Sequence, residues 1–206
     1  VRKFMTYAFA TGAVISLMGF STAQASDAEA SMLANTCNGC HGPNGVSQGP
    51  ATPTIAGMNK NYLIESMTNY RDGTIRKSTV MQRIAKGYSD AEIAKMADFF
   101  SKQKFERVAM QKTDPAEVAK GQALIKDMCE GCHEKDGYTA EDYPVLAGQM
   151  LPYLRNNLMD FDSGSRNIEA NPNMSDKEKR KKLRVLGELK EKGGVEAVLQ
   201  FYASRK

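Results

Sequence analysis

Two five-residue segments hold the reactive side chains of this 206-residue chain: Cys37-Asn38-Gly39-Cys40-His41 and Cys129-Glu130-Gly131-Cys132-His133. Between them they contain all four cysteines and both histidines. Three chemistries fit thiols at this spacing. Two cysteines one helical turn apart can add to the two vinyl groups along one edge of a haem, and the His that follows can present its imidazole to the iron. Two C-x-x-C pairs can instead share a zinc ion. Each pair can also cycle between dithiol and disulfide. The His at the same place in both segments, and the export leader described below, favour haem. The expectation is two covalently bound haem c groups, attached through Cys37, Cys40, Cys129 and Cys132, with His41 and His133 as proximal iron ligands.

The second axial ligand follows by elimination. No histidine remains, so bis-histidine ligation within the chain is excluded, and methionine sulfur is the alternative. Met58, Met67, Met81, Met96 and Met110 are the candidates in the first half, and Met150, Met159 and Met174 in the second. Met67, Met96 and Met159 sit at helical positions and read as core, and Met58 reads as a loop residue. Met81 lies 40 residues beyond His41, and Met174 lies 41 beyond His133. That shared span supports Met81 and Met174, although the surroundings of Met174 are unlike those of Met81. Pro53 and Pro144 follow the motifs, and their carbonyls are candidate acceptors for the free N–H of each histidine. Otherwise they shape the loop.

The elements that must position these groups come from an internal repeat. Cys37, Cys40 and His41 recur 92 positions later, and Pro53, Gly57, Tyr62-Leu63 and Gly73 recur at an offset of 91 as Pro144, Gly148, Tyr153-Leu154 and Gly164. Each half reads as a helix leading into the motif (28–35 and 115–128), a Gly/Pro-rich loop, a helix from near Tyr62 or Tyr153, and a closing helix. Ser89 and Glu92 form a capping-box pattern before the closing helix of the first half. No β alternation of useful length appears. The fold expected is all-α, with domains at 26–108 and 115–206 joined by a polar link from about Lys104 to Asp114; Pro115 suits a first helical turn.

Residues 1–25 read as a secretory leader: Arg2 and Lys3, an apolar run from about Tyr7 to Phe20, then Ala23 and Ala25 in an A-x-A pattern. The run is short for a membrane span. Cleavage after Ala25 would deliver the rest to the periplasm, with no membrane span. Residues 26–112 carry eleven Lys/Arg against eight Asp/Glu, and residues 113–206 carry fifteen against sixteen. That balance argues against nucleic-acid binding. The run Lys177–Arg184 (KEKRKKLR) is a basic face, either solvated or a docking surface for an acidic partner.

The segments CNGCHGPNGVSQGPATPTIAGM, STVMQRIAKGYSDAEIAKMADFF, EDYPVLAGQMLPYLRNNLMDF and LQFYASRK resemble tandem cytochromes c of the c4 type, and more closely the dihaem cytochrome subunit of flavocytochrome c sulfide dehydrogenase. The resemblance spans nearly all of residues 26–206. It implies two class I cytochrome c-like domains, with Met81 and Met174 as distal ligands. It also implies a heterodimer with an FAD-binding sulfide dehydrogenase subunit, and electron delivery to an external acceptor such as a soluble cytochrome c. The FAD would reside on the partner. A free-standing dihaem carrier of the c4 type is the alternative. The segment NPNMSDKEKRKKL around Met174 departs from the usual methionine loop.

Overall fold

The computed structural model describes residues 22–107, 111–139 and 143–206, with side chains from residue 28 onward. Most of the expected leader, and Met110 among the methionine candidates, lie outside the described residues. The first half comprises α1 (Thr22–Asn35), α2 (Asn38–His41), α3 (Lys60–Asp72), α4 (Met81–Ala85) and α5 (Asp90–Ser101). The second comprises α6 (Pro115–Met128), the single turn α7 (Glu134–Gly137), α8 (Leu151–Asp162), α9 (Asp176–Glu191) and α10 (Val195–Ala203). No strand forms among the described residues, only two isolated bridges.

Local sequence explains the ends of these helices. The Ser89 hydroxyl accepts the Glu92 amide while the Glu92 carboxylate takes the Ser89 amide, so the capping box starts α5. Pro115 occupies the first turn of α6, and the Asp114 side chain accepts the Ala116 amide at 2.8 Å. A second capping box, Ser175 with Glu178, starts the long α9. The same Ser-x-x-Glu spacing stands in the sequence, at the head of the basic run.

Each half closes by packing its first helix on its last, α1 on α5 and α6 on α10. The first core gathers Ala34, Met58, Leu63, Ile93, Met96 and Phe100; the second gathers Ile125, Leu154, Leu189, Val198, Phe201 and Tyr202. Met96 is core as expected, and Met67 packs against the same cluster. Met159 is not core: it is 59% exposed. With Leu154 and Leu158 turned inward at a four-residue step, the next residue lies about 100° around the helix, toward solvent.

The α6–α10 crossing depends on Gly121, where a Cβ would lie 2.2 Å from the Ala197 carbonyl oxygen. Backbone, unlike a flexible side chain, cannot step aside there. We expect Gly121→Ala to destabilise the second half by about 1–3 kcal/mol through overpacking, seen as a lowered midpoint in urea unfolding. An unchanged midpoint would mean that the two helices do not cross so closely.

The two halves meet in a paired, two-fold-like contact. The backbone segments after α3 and α8 lie antiparallel, with Lys77 N–H donating to Ser165 O and Asn167 N–H to Ile75 O, both at 2.7 Å. Thr54 N–H donates to Gln149 Oε1 at 3.0 Å, and Gln149 Nε2 donates to Thr54 O at 2.8 Å. The repeat-related pair does the same job, with Val145 N–H donating to Met58 Sδ at 3.3 Å. Equivalent residues thus reach across to each other, the self-complementary pattern of a two-fold dimer contact made within one chain. This also settles Met58, a loop residue whose buried sulfur is spent on the interface. Arg107 from the link is stacked between the rings of Phe105 and Tyr138, at 4.7 and 4.4 Å.

Candidate functional site

In each motif one tight turn brings the reactive groups together. Cys40 and His41 amides both donate to Cys37 O, and Cys132 and His133 amides both donate to Cys129 O, at 2.9–3.2 Å. The four thiols are free. Burial pushes the Cys37 and Cys129 thiols up, the opposite of the lowered values that drive dithiol redox catalysis. Among the described residues no three His, Cys, Asp or Glu side chains gather as a metal site, so the two C-x-x-C pairs stand apart rather than pooled around one zinc.

Both imidazoles are oriented as the prolines suggested. His41 Nδ1 lies 2.9 Å from Pro53 O, and His133 Nδ1 lies 3.2 Å from Pro144 O. A carbonyl can only accept, so the proton sits on Nδ1 and Nε2 keeps its lone pair for a metal. Burial lowers the pKa of both rings, that of His133 to about 3 with help from the Lys182 charge. Neutral imidazole is the coordinating form, so at neutral pH no proton competes for it.

The loop holding each proline is pinned by one glycine carbonyl. Ile55 and Ala56 amides donate to Gly45 O, and Leu146 and Ala147 amides donate to Gly137 O. Gly45 and Gly137 have φ of 81° and 82°, and a Cβ on either would meet Phe100 or Tyr202 at 2.6–2.8 Å. Only glycine combines that conformation with that closeness. The loop ends against the closing helix, with Gly57 N–H donating to Phe100 O and Gly148 N–H to Tyr202 O, both at 2.8 Å.

The proposed distal residues are placed differently. Met174 is half-buried and lines a cavity of about 580 Å³ with Tyr62, Glu65, Asn69, Tyr143 and Glu178. Tyr143 stands edge-on to His133 with ring centroids 5.8 Å apart, so Met174 and His133 share a neighbourhood. Met81 is the first residue of α4, half-buried, with its amide donating to Ser78 Oγ at 3.2 Å. Among the hydrogen bonds and ring contacts of the described residues, none ties it to His41.

One feature of the site was not visible in the sequence. Arg76 is only 4% exposed, lies 4.4 Å over the Tyr70 ring, and donates to Asn157 Oδ1 at 2.8 Å, leaving its Nε without a partner. Arg166 reaches the same Asn157 oxygen at 3.2 Å, and Lys182 lies 4.7 Å over the Phe161 ring. Burial and Arg166 lower the Lys182 pKa to about 8. Burial works against ionisation of Tyr62, yet Arg76 and Arg166 pull its pKa down to about 7. Asp160 is the carboxylate felt by both arginines, and burial raises its pKa. The space between the halves thus holds an excess of positive charge, which calls for an anionic group. Haem c has two propionates, so cysteine pairs, oriented imidazoles and buried cations together fit that cofactor.

Comparison with known proteins gives the same fold. The cytochrome c family model matches residues 25–104 and 118–193. Cytochrome c4 of Pseudomonas aeruginosa is 32% identical over 164 residues, covering 74% of this chain and 79% of that protein. A protein of Thiomonas intermedia named as a thiosulfate dehydrogenase electron acceptor is 30% identical over 157 residues, covering 71% and 72%. The crystal structure of reduced cytochrome c4 from Pseudomonas stutzeri superposes with a TM-score of 0.71 at 26% identity, covering 88% of this chain and 98% of that one. With its two motifs set in repeated all-α halves, this chain belongs to the cytochrome c family and is built on the tandem, dihaem plan of cytochrome c4.

Proposed function

We propose that this chain is a periplasmic dihaem electron-transfer subunit that takes electrons from a sulfur-compound dehydrogenase and passes them to an external acceptor such as a soluble cytochrome c. Cys37 and Cys40 hold the first haem, with His41 and Met81 on its iron; Cys129 and Cys132 hold the second, with His133 and Met174. The observation that carries the reading is the link between the two motifs. Each histidine donates to a proline carbonyl, and the residue after that proline gives its amide to the other half. Two one-electron centres are thereby held by one shared, buried contact. When bound, haem supplies a reversible one-electron couple, and the chain fixes its attachment, ligand orientation and surrounding charge.

The donor we favour is an FAD-containing sulfide dehydrogenase subunit, in a heterodimer with this chain. Oxidising sulfide to the zero-valent level removes two electrons, whereas a haem accepts one at a time, and a flavin can take the pair and release them singly. The relative named as an electron acceptor of thiosulfate dehydrogenase supports a sulfur-oxidising partner. The likeness to cytochrome c4 over most of the chain supports the second reading, a free-standing carrier. Purification from the native source separates them. Co-purification with an FAD protein, and sulfide-dependent reduction of added cytochrome c by the pair only, supports the subunit. A flavin-free monomer that exchanges electrons rapidly with a terminal oxidase supports the carrier.

A further inference from the structure

Helix α9 carries seven Lys/Arg against four Asp/Glu, while the rest of residues 113–206 carries eight against twelve. The positive charge of the second half is therefore concentrated on one element. It is also concentrated on one side of that element. Lys177, Arg180, Lys181 and Arg184 fall at i, i+3, i+4 and i+7, the spacing of a single helix face, and all four are exposed. The inward side is different: Val185 and Leu189 join the core, and Lys182 turns into the protein.

The helix's own carboxylates do little to cancel this stripe. Glu178 is held by the Ser175 cap and by the Tyr143 hydroxyl. Glu188 pairs with Arg184 at 2.6 Å, one turn past the other three cations. The stripe also lies beside the redox motif: a Cβ built on Gly131, inside Cys129–His133, would be 2.8 Å from Lys181 Nζ. Leu183, 42% exposed, is the lone large apolar side chain among these cations.

We propose that this face of α9 is the docking surface for an acidic redox protein, which exchanges electrons with the second haem. The inference rests on the dihaem reading above and adds the place and the chemistry of the partner. Clustered charge of one sign beside a redox centre accelerates encounter with a partner of opposite sign, and does so less as salt is added. A single exposed leucine gives too little apolar surface to anchor a helix in a bilayer, which favours a protein over a lipid surface.

The test uses the haem-loaded full chain and small redox probes of opposite charge. In the triple variant Lys177→Glu, Arg180→Glu, Lys181→Glu, oxidation of the ferrous protein by ferricyanide should slow at least fivefold at low ionic strength. Re-reduction by the cationic hexaammineruthenium(II) should quicken, and both differences should shrink at high salt. A control with the same change in net charge, Lys86→Glu, Lys104→Glu, Lys112→Glu, should move neither rate by more than twofold. Equal effects of the two triples would overturn the proposal, because overall charge alone would then explain the rates. So would unchanged rates in the α9 variant, or a loss confined to binding of phosphatidylglycerol vesicles. Haem content measured first on every variant separates these results from failure of the dihaem reading, which would appear as missing haem.

Discussion

Replacing Met81 by Ala is expected to remove the near-infrared charge-transfer band of His/Met ligation from one of two ferric haems, leaving about half the wild-type amplitude. The reduction potential of that haem should fall by an amount on the order of 0.1 V, a modest part of the roughly 0.8 V that axial ligands command, because thioether sulfur favours ferrous iron. Met174→Ala should do the same at the other haem, and the double variant should lose the band. Met159→Ala is the control: its side chain faces solvent, so band and potentials should stay as they are. Met58→Ala should also keep the band, since that sulfur is occupied by the Val145 amide. A full-amplitude band in Met81→Ala would reject Met81 as a ligand and send the search to the remaining first-half methionines.

The second large effect is expected at Arg76, the buried cation between the halves. A positive charge disfavours the ferric state, which carries one more positive charge than the ferrous, so its removal lowers the potential. At about 10 Å and an effective dielectric of about 20, one unit charge is worth about 1.7 kcal/mol, or about 70 mV for one electron. Arg76→Met should therefore lower at least one potential by several tens of millivolts. It should also cost about 2–4 kcal/mol of stability, because the charged hydrogen bond to Asn157 and the contact over Tyr70 are both lost. Arg76→Lys keeps the charge but not the planar fork, so it should restore most of the potential and little of the stability. Unchanged potentials in Arg76→Met, in a protein that still holds its haem, would mean that this charge does not face the cofactor.

Much of this architecture is written locally in the chain. C-x-x-C-H, the repeat and the capping box at Ser89 each involve residues close in sequence, and each appears in the structure where the pattern puts it. The proline carbonyls lie eleven or twelve residues from their histidines and were still legible, because both halves keep them at matching positions. What escaped was long-range. Nothing near Gln149 announces that its amide will satisfy Thr54, 95 residues away, or that Arg76 and Arg166 will meet at one asparagine. Repeat logic also failed where the repeat diverges. Met159 aligns with Thr68, and that partner is polar, a sign of its outward face that helical spacing alone did not give. The capping box of α9 is local too, Ser175 with Glu178, but it is embedded in a run of lysines whose charge pattern masks the helix start.

Intact mass measures directly whether one chain holds two haems. The protein should be expressed with residues 1–25, the expected leader, in a host that exports and matures c-type cytochromes, then denatured and its intact mass recorded. Covalent thioether attachment survives denaturation, so the mass should exceed the polypeptide of residues 26–206 by two haem groups, and by one in a Cys129→Ala, Cys132→Ala variant. A mass equal to the bare polypeptide, or to the polypeptide with two disulfides, from a preparation in which a control cytochrome c is fully matured, would contradict the account.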